Sequence, residues 1–176
     1  HAGVGAGIIL DHHLYTGLAG TAGEAGHMIV QPGGRSCPCG NHGCLEQYIS
    51  EPAVLSRYRE LSGRTTVSID DLVWAYNQKE TAALAVTDEF TTYLACGINN
   101  LWNLFSPECI ILNCQLTAYL PQLLPEILQK LSARFRATCQ LKLSTLQDTG
   151  VLLGAARVCI SKYLGIEKLY FSGFQP

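Results

Sequence analysis

A loop that concentrates sulfur and imidazole ligands constrains this chain more than any other stretch. Residues 24–46 read EAGHMIVQPGGRSCPCGNHGCLE, with two histidines and three cysteines set among glycine, proline and small polar residues. Zn²⁺ prefers four such ligands in a tetrahedron, and glycines permit the positive φ that a loop around a metal needs. The sequence therefore predicts a zinc loop whose ligands are His27, Cys37, Cys39 and Cys44.

Four protein ligands leave no open coordination position, so the predicted zinc is structural and holds no reactive water. A disulfide and a group of free thiols are the alternatives. A bridge between Cys37 and Cys39 would be strained, and eight cysteines without a secretory segment favour a reducing compartment. His42 competes with His27 as the imidazole ligand, because it lies between the second and third loop cysteines.

Two segments of this loop carry a family signature. Residues 24–27 read EAGH and residues 37–46 read CPCGNHGCLE, and together they resemble the signature of the ROK family, named for repressors, open reading frames and kinases. The resemblance implies an α/β fold, specifically the C-terminal lobe of an actin-like ATPase (ribonuclease H-like) fold with an inserted zinc loop. It also implies that a sugar lies between two lobes and that the four loop ligands hold zinc.

The same resemblance implies that Glu24, His27 and Glu46 bind the sugar. One ring nitrogen of His27 can bind the metal while the other hydrogen-bonds a sugar hydroxyl, and the metal fixes the orientation of the ring. The alternative for both glutamates is an ordinary solvated carboxylate.

The composition excludes several classes of protein. With 48% hydrophobic and 15% charged residues, the 176-residue chain is a well-packed globule and not a disordered segment. Its formal net charge of −2 gives no electrostatic footprint for nucleic acid, so any DNA contact belongs to another segment. The sequence has no apolar run of membrane-spanning length and no signal pattern. We therefore expect no membrane insertion and a cytoplasmic location.

Two further stretches bear on nucleotide binding. A glycine run near the start lies beside nucleotide phosphates in the kinases that the chain resembles, although tight strand packing explains such a run equally well. The glycines of the run are Gly3, Gly5 and Gly7. Val4 stands where those kinases usually carry threonine, and Asn113-Cys114-Gln115 replaces glycines whose bare backbone approaches the adenosine. We therefore predict that nucleotide binding is lost.

The periodicity of apolar residues predicts the secondary structure. Residues 4–10 predict a buried strand that turns through Asp11-His12-His13 into a second strand, and short strands are predicted over 109–112 and 141–143. Helices are predicted over 47–61 with Ser50 as a cap, and over 68–78, 80–105, 121–134 and 150–164, the third of these being a core helix. We expect the tail at 169–171 to dock or to meet a partner. The remaining cysteines are expected to be small buried hydrophobes: Cys96, Cys109, Cys114, Cys139 and Cys159.

The chain begins at His1 without an initiator methionine and resembles the second half of the family. We therefore expect residues 1–176 to be a C-terminal sugar- or effector-sensing lobe, with an N-terminal lobe and any helix-turn-helix upstream. The favoured function is the effector-binding part of a sugar-responsive transcriptional regulator. In it, a sugar or sugar phosphate shifts lobe closure in a homodimer or tetramer and so alters DNA binding. The alternatives are an ATP-dependent sugar kinase, and a zinc-stabilised interaction module with a vestigial sugar site, controlled by a sugar-transport protein.

Overall fold

The structure is a computed structural model that describes residues 3–147 and 149–165. Short 3₁₀ turns at Leu18–Gly20 and Ala25–His27 precede the helical part of the chain. The other elements are, in chain order, β1 (Ile8–Leu10), β2 (His13–Tyr15), α1 (Glu46–Ile49), α2 (Glu51–Ser62), α3 (Ile69–Asn77), α4 (Thr81–Phe105), β3 (Cys109–Leu112), α5 (Gln115–Tyr119), α6 (Leu123–Lys130), α7 (Ala133–Thr138), β4 (Gln140–Leu143) and α8 (Thr149–Leu164). This order is the α/β arrangement that the sequence predicts.

The long helix α4 is the centre of the core, as predicted. Its Phe90, Leu94 and Ile98 are buried at helical spacing, and it packs against α1, α2, α3 and α6. Buried threonine hydroxyls on α4 donate to carbonyl oxygens of the preceding turn, so they enter the core without losing a partner. Phe105, the last residue of this predicted core helix, is 36% exposed because α4 ends there and Ser106 turns the chain into the left-handed region.

The predicted helix over 47–61 is two helices. Ser50 has extended backbone angles between α1 and α2, and its Oγ accepts a hydrogen bond of 3.4 Å from the Ala53 N–H. The predicted cap is therefore correct, and the same residue ends the helix before it. At the start of α3, Ser68 and Asp71 form a reciprocal capping box, which explains why the helix begins where the sequence predicts.

The predicted helix over 121–134 is also two helices, α6 and α7. Leu131 has extended backbone angles after α6, and Ser132 then caps α7 by accepting a 3.1 Å hydrogen bond from the Phe135 N–H. Because the Ser132 hydroxyl accepts a hydrogen bond from the first turn of α7, it favours the start of a new helix over continuation of α6. The short helix α5, which follows β3, is absent from the sequence prediction.

The strands form two small two-stranded sheets in the described residues. Strands β1 and β2 pair antiparallel through a turn in which Asp11 and His12 have positive φ, while β3 and β4 pair parallel. The prediction of a buried strand over 4–10 is wrong for this chain, because pairing is confined to β1 and Ile9 is 63% exposed. Ile111 of β3 is likewise exposed, so that strand is only partly buried.

The last described helix, α8, contributes no buried residue. A Cβ atom at Gly154 would meet nothing within 4 Å, so no close contact requires glycine at this position of the helix. Cys159 is exposed, which corrects the expectation that all five non-loop cysteines are buried; Cys139 alone is buried and the other three are half-buried. The tail at 169–171 lies outside the described residues. Among the described helices, none combines the length and the apolar composition of a membrane-spanning segment.

Candidate metal and sugar site

The four predicted zinc ligands converge. One ligand atom from each of His27, Cys37, Cys39 and Cys44 lies within 4.8 Å of the other three. Cys37 and Cys44 are buried, whereas Cys39 is exposed. His42 does not belong to this cluster, so the imidazole comes from the earlier turn. Three sulfurs and one ring nitrogen at these separations are a donor set that fits Zn²⁺.

The backbone of the loop brings these side chains together. The 3₁₀ turn Ala25–His27 presents the imidazole, and an isolated antiparallel bridge joins Ile29 to Cys44. A tight turn then closes between the sulfurs, because the Cys37 N–H donates to the Asn41 carbonyl at 2.9 Å and the Gly40 N–H donates back to the Cys37 carbonyl at 3.0 Å. The loop is therefore held by its own hydrogen bonds as well as by any ion.

Two glycines in the return segment are needed for different reasons. Gly40 and Gly43 have φ values of 95° and 83°, which residues with a side chain rarely adopt. At Gly40 a Cβ atom would meet nothing within 4 Å, whereas at Gly43 it would overlap the carbonyl oxygen of Gln31. Only Gly43 is thus required by close backbone contact.

The thiols of the cluster differ in acidity. A backbone hydrogen bond from Asn41 lowers the pKa of Cys39 to about 7, with smaller contributions from the neighbouring thiols. Burial raises the pKa of Cys44 to about 12, and the nearby Cys37 and Cys39 add to the shift. An ion that takes all three as thiolates must therefore displace the proton of Cys44 at neutral pH.

The two ring nitrogens of His27 face different neighbours. Nδ1 lies 3.6 Å from Cys37 Sγ, inside the cluster, and Nε2 lies 3.8 Å from Glu24 Oε2 on the opposite side. Glu46 begins α1, and its Oε2 accepts a 2.9 Å hydrogen bond from the Val4 N–H. The structure thus places both predicted sugar-facing carboxylates on segments that adjoin the cluster, but it engages one oxygen of Glu46 internally.

The glycine run packs tightly against the segment that carries Glu24. The Ala6 N–H donates to the Gly23 carbonyl at 2.8 Å, and a Cβ atom at Gly23 would overlap the carbonyl oxygen of Ala6. A Cβ atom at Gly26 would likewise overlap the Val4 carbonyl. Close packing therefore requires glycine at positions 23 and 26. It does not explain the run itself, because a Cβ atom at Gly3 or Gly5 would lie 3.4 or 3.6 Å from its nearest neighbour and one at Gly7 would meet nothing within 4 Å.

A cavity separates this run from the end of β3. It has a volume of about 310 Å³ and is lined by Gly3 and Gly5 on one side and by Asn113 and Cys114 on the other. Gly7 does not line it. The structure thus brings together the two stretches that bear on nucleotide binding, with the Asn113 side chain donating to the Gln147 carbonyl at 3.2 Å.

Sequence reasoning missed the residues that attach the loop to the helices. Arg35 and Gln47 contact the loop and α1 through their side chains, and Tyr48 stacks on Tyr93 of α4 at 4.0 Å between ring centroids. The sequence offered one signal for Arg35, its position two residues before the candidate ligand Cys37. Its partners could not be predicted because they lie 12 or more residues away in the sequence.

Comparison with known proteins decides the family. The sequence profile of the ROK family matches residues 1–162. The chain belongs to the ROK family. Its α/β fold is the one found in ROK kinases and in ROK transcriptional regulators.

Among ROK relatives, the xylose repressor of Bacillus spizizenii is 33% identical over 171 residues, which cover 95% of this chain and 44% of that protein. A crystallised ROK family transcriptional regulator, a homologue of the E. coli MLC protein, superposes with a TM-score of 0.76 at 29% identity, covering 95% of this chain and 46% of that one. The ROK hexokinase of Thermus thermophilus superposes with a TM-score of 0.75 at 25% identity, covering 92% and 56%. This chain therefore spans about half the length of the ROK proteins it matches.

Proposed function

We propose that this chain is the C-terminal effector-sensing lobe of a sugar-responsive ROK transcriptional regulator. In this proposal a structural zinc ion is held by His27, Cys37, Cys39 and Cys44. A sugar or sugar phosphate is bound by Glu24, His27 and Glu46. The resemblance to a xylose repressor over 95% of the chain supports the regulatory class.

The geometry of His27 is the observation that carries the proposal. With Nδ1 at the sulfurs and Nε2 toward Glu24, an ion on Nδ1 leaves the proton on Nε2, where it can be donated. The imidazole N–H and the Glu24 carboxylate then form an adjacent donor and acceptor, which is the pairing that recognises neighbouring sugar hydroxyls. Glu46 adds an acceptor through the oxygen that Val4 does not occupy.

Regulation would operate through closure of two lobes. A sugar that contacts Glu24 and Glu46 draws together two segments that also bind the glycine run, so its binding favours one arrangement of the cleft. In a homodimer or tetramer this change would alter the spacing of DNA-binding segments located outside residues 1–176. A sugar-transport protein is the alternative controlling partner.

Operator binding by the full-length protein tests this function. We expect one or a few sugars in a panel of pentoses, hexoses and their phosphates to weaken DNA binding in a gel-shift titration. Glu24→Gln and Glu46→Gln should abolish the response and leave zinc content and DNA affinity unchanged. Asp70→Asn, at an exposed carboxylate on α3, serves as the matched control. Equal DNA affinity with every sugar would contradict sugar control and favour the interaction-module alternative.

A sugar kinase is the second candidate, because Gly3 and Gly5 line the same cavity as the end of β3. Asn113 and Cys114 argue against it, since residues with side chains line that cavity where the resemblance to kinases of the family implies glycines with bare backbone. A coupled assay for ADP release with Mg²⁺-ATP and several hexoses separates the two functions. Turnover by the full-length protein would establish the kinase.

A further inference from the structure

The side chain of Arg35 links the metal loop to three helices. Its guanidinium donates to the Gln47 carbonyl on α1 at 2.7 Å and to Glu89 on α4 at 2.5 Å. The same guanidinium lies over the Tyr48 ring, 4.5 Å from its centroid. Glu89 in turn accepts a 2.9 Å hydrogen bond from Arg57 on α2. One planar group therefore contacts α1 and α4 directly and α2 through a shared carboxylate.

The backbone of Arg35 is bonded on both sides as well. Its N–H donates to the Tyr48 hydroxyl at 3.0 Å, and its carbonyl accepts from the Gly43 N–H at 2.7 Å. Gly43 directly precedes the ligand Cys44, and Arg35 itself lies two residues before Cys37. Both arms of the loop that carry sulfur ligands are thus attached at this residue.

The hydrogen bond from Arg35 to the Gln47 carbonyl connects Arg35 with the Cys/His cluster. Gln47 Nε2 lies 3.6 Å from Cys37 Sγ, so the residue whose carbonyl Arg35 holds also donates toward a ligand sulfur. Gln47 follows Glu46, whose carboxylate adjoins the Val4 N–H. A fixed Gln47 backbone therefore positions two side chains. One is the Gln47 amide, which contacts Cys37 Sγ, and the other is the neighbouring Glu46 carboxylate, which is assigned to the sugar.

We propose that Arg35 is a positioning residue that locks the metal loop onto α1 and α4 and thereby sets the retention of the ion and the placement of Glu46. This inference deepens the proposed function and rests on it for the identity of the ion. A bidentate guanidinium is required, because one group must meet a carbonyl and a carboxylate at fixed directions while stacking on a ring.

The chain contains a matched control. Arg64 donates to Glu80 at 2.8 Å and lies 5.5 Å from the Tyr58 ring centroid, and its side chain is 38% exposed compared with 36% for Arg35. It shares the carboxylate and ring contacts of Arg35 but makes no contact with the loop. Arg35→Ala leaves Glu89 paired with Arg57, so neither substitution strands a buried charge.

Zinc release from the full-length protein to a chromophoric chelator tests the assignment. Because substitution of outer-shell partners typically costs 10–100-fold in metal affinity, we expect Arg35→Ala to release zinc at least about tenfold faster than the parent protein. Arg64→Ala should release it within about twofold of the parent, as expected for a surface ion pair distant from the ion. Arg35→Lys should recover thermal stability but still release zinc rapidly, since an ammonium cannot form the fork.

Amide hydrogen exchange gives a readout that does not require the ion. Arg35→Ala should raise exchange at the Gly43 and Cys37 amides at least about tenfold, whereas Arg64→Ala should leave both unchanged. If the parent protein holds no zinc, the metal proposal fails while these amides still decide the role of Arg35. Equal effects of Arg35→Ala and Arg64→Ala on release and exchange, or parental zinc retention in Arg35→Lys, would overturn the inference.

Discussion

Among the candidate metal ligands, Cys44 has the environment that would depend most on an ion. It is fully buried, and its thiol is placed among two other sulfurs and an imidazole. A thiol in that position has its proton favoured by burial, whereas a thiolate needs a cation beside it. The residue therefore combines full burial with a thiol whose ionisation needs a neighbouring cation.

Cys44→Ser should eliminate bound zinc. A hydroxyl is a poor ligand for Zn²⁺ compared with a thiolate, and two sulfurs and an imidazole give an incomplete tetrahedron. Elemental analysis of purified full-length protein should find about one zinc per chain in the parent and almost none in the variant. Cys159→Ser, at an exposed cysteine on α8, should retain the parental content. A full complement of zinc in Cys44→Ser would contradict the ligand set.

Zinc affinity should rise with pH. Cys44, with a pKa of about 12, releases a proton when the ion binds at any pH from 6 to 9. Cys39, with a pKa of about 7, releases one mainly below pH 7, because above that pH its thiol is already ionised. Each released proton changes the apparent affinity about tenfold per pH unit, so the dependence should be steeper below pH 7 than above it. Chelator-competition titrations, corrected for protonation of the chelator, measure this slope. An affinity independent of pH would show that the thiols are already ionised.

At the scale of the element, the loop is a folded unit with its own steric requirements. Gly43→Ala should lower the free energy of unfolding by about 1–3 kcal/mol more than Gly40→Ala, because the added Cβ overlaps the Gln31 carbonyl. Both glycines have positive φ, so the cost of placing alanine in that backbone conformation cancels when the two variants are compared. Chemical denaturation followed by circular dichroism provides both values. Equal losses would mean that the loop moves aside to accept the methyl group.

Helix starts were predictable where a side chain caps the backbone locally. Ser50 and Ser68 each satisfy the first turn of a helix within three residues, and that information is present in the sequence. The breaks at Ser50 and Leu131 were missed because apolar periodicity continues across them, while the serine hydroxyl decides where the next helix begins. The exposure of Ile9 depends on tertiary neighbours, which periodicity cannot supply.

The convergence of the four Cys and His side chains was predictable for a related reason. These side chains occur within eighteen consecutive residues, so composition and local turns suffice to bring them together. Arg35 contacts Glu89, which is 54 residues away, and Glu46 contacts Val4, which is 42 residues away. Pairs at such separations depend on how helices pack, and neither partner carries a local signal.

At the scale of the molecule, the loop and the core are continuous. Leu45, which follows the candidate ligand Cys44, is 3% exposed and belongs to the same buried cluster as Phe90 of α4. Removal of zinc with a chelator should therefore raise hydrogen exchange along α4 as well as in the loop. The Cys44→Ser variant should show no further change when the chelator is added. Unchanged protection of α4 in the parent would confine the role of the ion to the loop.

The contact between Leu45 and Gly97 extends this dependence deep into the protein. A Cβ atom at Gly97, in the middle of α4, would collide with a methyl group of Leu45. A substitution there alters neither an ion ligand nor a carbohydrate contact, yet it pushes directly on the neighbour of Cys44. A genetic selection for variants that have lost their ion should consequently recover substitutions of Gly97 in the protein interior. This position is more than fifty residues along the chain from Cys44.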